Sequence, residues 1–212
     1  MPLIMPKAAF IHVPRNAGSW VRQRLLRLKS CKGKVYRIPH ENYRHHTPVS
    51  WLADNHPEIY HQQFVWTSVR SPLAFLRTFW FKKIMESVTP VPVGYKRFDQ
   101  DIDRVVTDDP GCVTRYYKYY LTMHWQFPAI DGYVRAEYVA KELIAILERM
   151  GVGVTRRERQ SIMHSKIFQP NMTPKQRSQL TMSLELKQRV LDAEEEFMDT
   201  FKYQRGALIK LF

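Results

Sequence analysis

Two short apolar runs, each leading straight into a helix-start signal, constrain this chain more than any other feature. The first, Ala8-Ala9-Phe10-Ile11-His12-Val13, is stopped by Pro14 and followed by Ser19. The second, Phe64-Val65-Trp66-Thr67-Ser68-Val69, is followed by Arg70-Ser71-Pro72. Both are short, rich in β-forming residues and without polar alternation, the pattern of strands buried on both faces. Ser19 reads as the N-cap of a helix to about Leu28, with Val21, Leu25 and Leu28 on one face and Arg22, Arg24 and Lys29 elsewhere. Ser71-Pro72 pairs an N-cap with proline at the first helical position and opens a helix through about Met85.

The rest of the chain repeats the theme. Lys34 to Ile38 and Asp131 to Arg135 read as further strands, Val113 to Gln126 as an aromatic-rich helix. Glu137 to Met150 is an amphipathic helix (Val139, Leu143, Ile146, Met150) ended by Gly151. Helices are also expected near Thr173 to Leu180 and Ser183 to Phe201. Thr89 to Gly111, with Pro90, Pro92, Gly94 and Pro110, reads as a long, partly irregular loop. Strand–loop–helix repetition predicts an α/β three-layer fold with a mainly parallel sheet flanked by helices. A length of 212 residues suits a single domain, with a helical C-terminal part over about 155–205.

In such sheets ligands bind at the carboxyl ends of the strands. A loop from a buried strand into a helix start offers backbone N–H groups and the positive end of the helix dipole, which together suit an anion. Arg15, Asn16, Ala17, Gly18, Ser19 and Trp20 form one such loop. Gly18 and Ala17 allow close backbone approach, Ser19 offers a hydroxyl, and Arg15 a guanidinium. The GxxxxGK(S/T) pattern that holds Mg²⁺ with a triphosphate does not occur. Arg70, at the end of the next strong strand, is poised for bidentate phosphate recognition.

The net charge of +13 favours anionic partners. A basic nucleic-acid-binding protein, using Arg115-Tyr116-Tyr117-Lys118-Tyr119-Tyr120, is one alternative reading, and a P-loop-like nucleotide kinase another. Cys31 and Cys112 give neither a disulfide framework nor zinc spacing and read as two ordinary thiols. The first residues lack the apolar core of a signal peptide, and no run approaches the ~18 apolar residues of a membrane span. The expectation is a soluble, cytoplasmic chain.

Phe10-Ile11-His12-Val13-Pro14-Arg15-Asn16-Ala17-Gly18-Ser19 resembles the 5′-phosphosulfate loop of the sulfotransferases that use 3′-phosphoadenosine 5′-phosphosulfate (PAPS), a broad group with glycan-modifying members. That loop is typically written PKxAGTS or PKSGTTW. Val69-Arg70-Ser71-Pro72 through Thr78 and Trp80 is similar to the same family's 3′-phosphate element, VR(N/D)PxxRxxSxY. Gly132-Tyr133-Val134-Arg135-Ala136-Glu137 and Phe197 to Tyr203 resemble its late strand and C-terminal segment. The resemblance implies a P-loop-NTPase-like sulfotransferase fold and a metal-free transfer from PAPS, leaving the 3′,5′-bisphosphate PAP. Residues 15–20 would bind the 5′-phosphosulfate, with Arg15 also stabilising charge on the leaving phosphate. Arg70 and Thr78 would bind the 3′-phosphate. Arg15 stands where most members carry lysine, and Phe75 where they carry a second arginine.

The acceptor is expected to be a hydroxyl, more on a carbohydrate than on a protein tyrosine, and its proton needs a base. Arg44-His45-His46-Thr47-Pro48 resembles the family's KHxTA segment, which implies His45. On residue type alone His40, Glu41, His45 and His46 all qualify. Glu41 and His45 are the leading pair. Lys166, in His164-Ser165-Lys166, is a further cation within possible reach of phosphates.

Overall fold

The computed structural model describes residues 2–38, 46–86, 98–165 and 180–212. His40, Glu41, His45, Lys166 and most of the helix expected from Thr173 lie outside them. Contacts gather the chain into two compact units, Met1–Arg70 with Tyr117–Phe168, and Ser71–Tyr116 with Gln169–Phe212.

The first unit is built on a five-stranded mixed sheet with helices against it, in the order β3-β1-β2-β4-β5. Its strands are β1 (Leu3–Met5), β2 (Ala8–Ile11), β3 (Tyr36–Arg37), β4 (Phe64–Val69) and β5 (Gly132–Arg135). β2, β4 and β5 run parallel, but β1 is antiparallel to both β2 and β3. The expected predominance of parallel pairing is corrected accordingly: half of the pairings are antiparallel. The cause is β1, which the prolines hid. Pro6 does not interrupt a strand; with Lys7 it makes the tight turn that folds Leu3–Met5 back onto Ala8–Phe10, a place where its fixed φ is useful and no N–H is needed.

Pleating sorts the side chains. Leu3 pairs with Phe10, Phe10 with Trp66, and Ser68 with Val134, so these share one face. Phe10 and Trp66 pack at 4.6 Å between ring centroids. Onto this face fold Trp20, Val21, Leu25 and Leu28 of α1 (Gly18–Arg27) and its following turn, with Val139, Leu143 and Leu147 of α7 (Val139–Arg149). Ile4, Ala9, Ile11, Val65 and Val69 point the other way and are equally buried. There α3 (Pro57–Gln62), which follows α2 (Val49–Asn55), packs on β2. Neither helix shows in the sequence as a periodic run, because each is under two turns long.

α6 (Cys112–Leu121) stops short of the expected Gln126. Met123 and Gln126 instead pair across a two-residue turn whose central residues, His124 and Trp125, have φ of 45° and 70°. Trp125 in particular suits left-handed backbone poorly, and it is 99% exposed, so burial does not offset the strain. Replacing His124-Trp125 by Asn-Gly should therefore stabilise the fold by about 1 kcal/mol, read as a higher urea midpoint. An unmoved midpoint would mean that the turn is relaxed.

In the second unit, α4 (Pro72–Glu86) starts as expected: Ser71 Oγ accepts from Ala74 N–H at 3.4 Å and its carbonyl from Phe75 N–H at 2.8 Å. The expected loop between Thr89 and Gly111 is corrected by α5 (Phe98–Asp108). Phe98, Ile102 and Val106 recur at four-residue spacing on its buried face. The prolines and glycines border this helix rather than interrupt it. Trp80 Nε1 donates to Asp101 at 2.7 Å. The segment from Ser183 divides into α9 (Leu184–Ala193) and α10 (Glu195–Thr200), followed by α11 (Arg205–Leu211). Glu194, between the first two, is buried and accepts from Val113 N–H, Thr114 N–H and the Thr114 hydroxyl, capping the start of α6. Burial, then this carboxylate, pushes the neighbouring Cys112 thiol up to about 12. Cys31 and Cys112 are both thiols. α8 (Arg156–Met163), in the first unit, opens with a capping box between Thr155 and Glu158. Among the described residues no helix is long and apolar enough to cross a membrane.

Candidate anion site

β2 ends at Ile11, and the chain turns through Pro14 to Ala17 into α1. The turn is made by two left-handed residues, Arg15 (φ 69°) and Ala17 (φ 61°, ψ 10°). Non-glycine residues rarely adopt this conformation, and a pair of them within three positions is a concentrated local strain of the kind found at ligand-binding turns. Ala17, not Ser19, is the N-cap, and its side chain gives the helix no cap hydrogen bond. Ser19 lies inside the first turn and is exposed. The expected hydroxyl cap is thus replaced by backbone geometry, which leaves the capping position to other groups.

Gly18 has a different reason from the one its loop suggests. A β-carbon there would collide with the His12 ring. His12 in turn stacks on Phe10 at 6.2 Å between centroids. His46 meets the same ring edge-on at 4.7 Å, and its Nδ1 lies 3.0 Å from the His12 carbonyl oxygen. A carbonyl only accepts, so Nδ1 carries the proton and Nε2 is the basic end of the His46 ring. His12, His46 and the Gly18 turn are therefore one packed group.

Asn16 is fully buried between the two left-handed residues. Its Oδ1 accepts from the Tyr117 hydroxyl at 2.6 Å, and that hydroxyl accepts from the Arg70 backbone N–H at 2.8 Å. The Arg70 carbonyl oxygen lies farther from the same hydroxyl, at 3.4 Å, so the proton goes to the closer Asn16 Oδ1, and the Asn16 NH₂ faces away. That NH₂ has no hydrogen-bond partner among the described residues. Thr47 Oγ1, beside His46, and Ser68 Oγ, two residues before Arg70, are likewise buried and unpartnered there. A buried polar group left unmatched costs ~1–3 kcal/mol. These three lie on segments that leave or border the carboxyl edge of β2 and β4, the edge at which ligands bind in such sheets; others, at Trp66 and Thr122 among them, lie elsewhere.

The other sequence candidates fall as follows. Trp20 buries its side chain in the core, with the Arg24 guanidinium 5.6 Å from its ring centre, so only its backbone can address a ligand. Arg70 is half-buried at the end of β4. Thr78 belongs to the second unit, where its hydroxyl donates to the Ala74 carbonyl at 2.8 Å. Phe75, in place of the second arginine, is buried and packs on Tyr116. Of the basic–aromatic stretch, Arg115 pairs with Asp109, Lys118 lies over the Phe127 ring, and Tyr117 is buried. Arg135 is bound by Glu142 through its backbone N–H at 2.6 Å and its Nε at 2.7 Å, a structural tie of β5 to α7. Sequence reasoning missed His12 and Tyr117 as parts of the site. His12 carried a faint signal, a histidine in an apolar strand, whereas Tyr117 was masked by its aromatic neighbours.

Comparison of the chain with protein-family models, with curated proteins and with solved structures gives no match.

Proposed function

We propose that this protein is a PAPS-dependent sulfotransferase of P-loop-NTPase-like fold acting on a hydroxyl acceptor, with a carbohydrate as the favoured class. The observation that carries the anion site is the Asn16 turn: a buried NH₂ with no partner among the described residues, held by two left-handed residues at a helix start whose N-cap is an alanine. The identity of the anion rests on the resemblance of residues 10–19 and 69–80 to the family's two phosphate elements.

In this reading the turn amides, Asn16 and Arg15 receive the 5′-phosphosulfate, and Arg70 takes the 3′-phosphate. Transfer makes a bond from acceptor oxygen to sulfur and breaks the bond from sulfur to the bridging oxygen. The leaving nucleotide phosphate gains the negative charge, which Arg15 stabilises. The acceptor proton goes to a base on the segment from His40 to His46. The resemblance selects His45, with Glu41 sharing the role, and the contact of His46 with His12 adds His46, whose Nε2 is the accepting nitrogen.

The direct test is a calorimetric titration of PAP in the absence of Mg²⁺. Saturable submillimolar binding is the expected result. Absence of binding would sink the proposal, and Mg²⁺-dependent ATP binding or salt-sensitive DNA binding in its place would select a kinase or a nucleic-acid protein.

A further inference from the structure

Tyr117 lies 101 residues along the chain from Asn16, yet its hydroxyl stands between the Asn16 side chain and the Arg70 backbone. One oxygen thus uses its proton on the turn after β2 and its lone pair on the residue after β4. Tyr117 is fully buried, so water does not substitute readily for either bond, and both are strengthened by low local polarity. The two residues that it joins lead the two phosphate elements of the proposed donor site. Nothing about core packing requires a hydroxyl here: phenylalanine fills the same space.

We infer that Tyr117 is a positioning residue that couples the Asn16 turn to Arg70, so that a ligand with two separate phosphate groups meets both elements already in register. This rests on the donor reading above. A ligand spanning both elements gains from their being held in advance, because the ordering is not charged against its binding. A ligand that engages only the Asn16 turn does not gain in this way. The effect is therefore a difference between ligands, which a simple loss of packing does not produce.

Tyr117→Phe tests it, with PAP and adenosine 5′-phosphate as the two probes, titrated well below the unfolding temperature of each protein. PAP affinity is expected to fall about tenfold, equivalent to ~1.4 kcal/mol, while adenosine 5′-phosphate changes by less than about twofold. Exchange of the Arg70 amide hydrogen, deprived of its acceptor, is expected to quicken by at least about tenfold. Unchanged PAP affinity, equal losses for both nucleotides, or an Arg70 amide that exchanges as before would each overturn the coupling. A wild-type protein that binds neither nucleotide overturns the donor reading and this inference together. Wild-type binding of PAP without the difference in the variant overturns this inference alone.

Discussion

Arg70→Ala is expected to weaken PAP binding about 100-fold, or ~2.7 kcal/mol, while leaving adenosine 5′-phosphate binding within about twofold. The residue directly follows a strand buried from Val65 to Val69, and its backbone is held by Tyr117, so the start of its side chain is fixed before any ligand arrives. A guanidinium anchored in this way can meet a phosphate with two parallel N–H donors, and such charge-assisted bonds are about twice as strong as neutral ones. Arg70→Lys keeps the charge but loses the fork, and about a tenfold loss is expected. The 5′-nucleotide lacks the 3′-phosphate and is the internal control. If Arg70→Ala weakens both nucleotides alike, the residue acts on the shape of the site. If it weakens neither, Arg70 is not a phosphate ligand.

The parts of this molecule legible in its sequence are those set by local chemistry. β2 and β4 stand out because each is an apolar run of strand length with a helix-start signal after it. α4 was readable from Ser71-Pro72 and α7 from its apolar spacing, since capping and periodicity are local properties. β1 was not readable: three residues between two prolines carry no period, and only pairing with Ala8–Phe10 makes them a strand. α5 was concealed by the turn-forming residues on either side of it. Ser19 shows the limit of a local rule, because a hydroxyl two residues too late cannot cap a helix that Arg15 and Ala17 have already started.

The candidate site divides in the same way. The turn and Arg70 could be named from residue type and order. The reasons for their conformation could not, because they are contacts through space. Gly18 answers to the ring of His12, and Asn16 to a tyrosine on α6. The Tyr117 contact with Asn16 and Arg70 depends on the sheet having formed, which brings β2 beside β4 and its following residue. That dependence also explains why the same residue types, in a different sheet order, would make no site.

If the chain is the sulfotransferase proposed, loss of its base is expected to produce the largest change in turnover, about 10²–10⁴-fold, with little change in donor affinity. His46→Gln is the variant for which geometry gives a definite expectation. Its Nδ1 proton is used on the His12 carbonyl, which presents Nε2 as the proton acceptor, and the edge contact with the His12 ring limits its rotation. kcat should fall by that factor, with PAP affinity within about twofold of the original. Glu41→Gln and His45→Gln are the companion variants, because the resemblance favours His45 and residue type favours both. If His46→Gln leaves kcat within about threefold while one companion takes the full loss, His46 orients the segment and the companion is the base. If all three retain turnover, the proton leaves by another route and the segment has no base. A fall in PAP affinity that matches the fall in turnover would place His46 on the donor side, holding the Gly18 turn through His12 instead of receiving the acceptor proton.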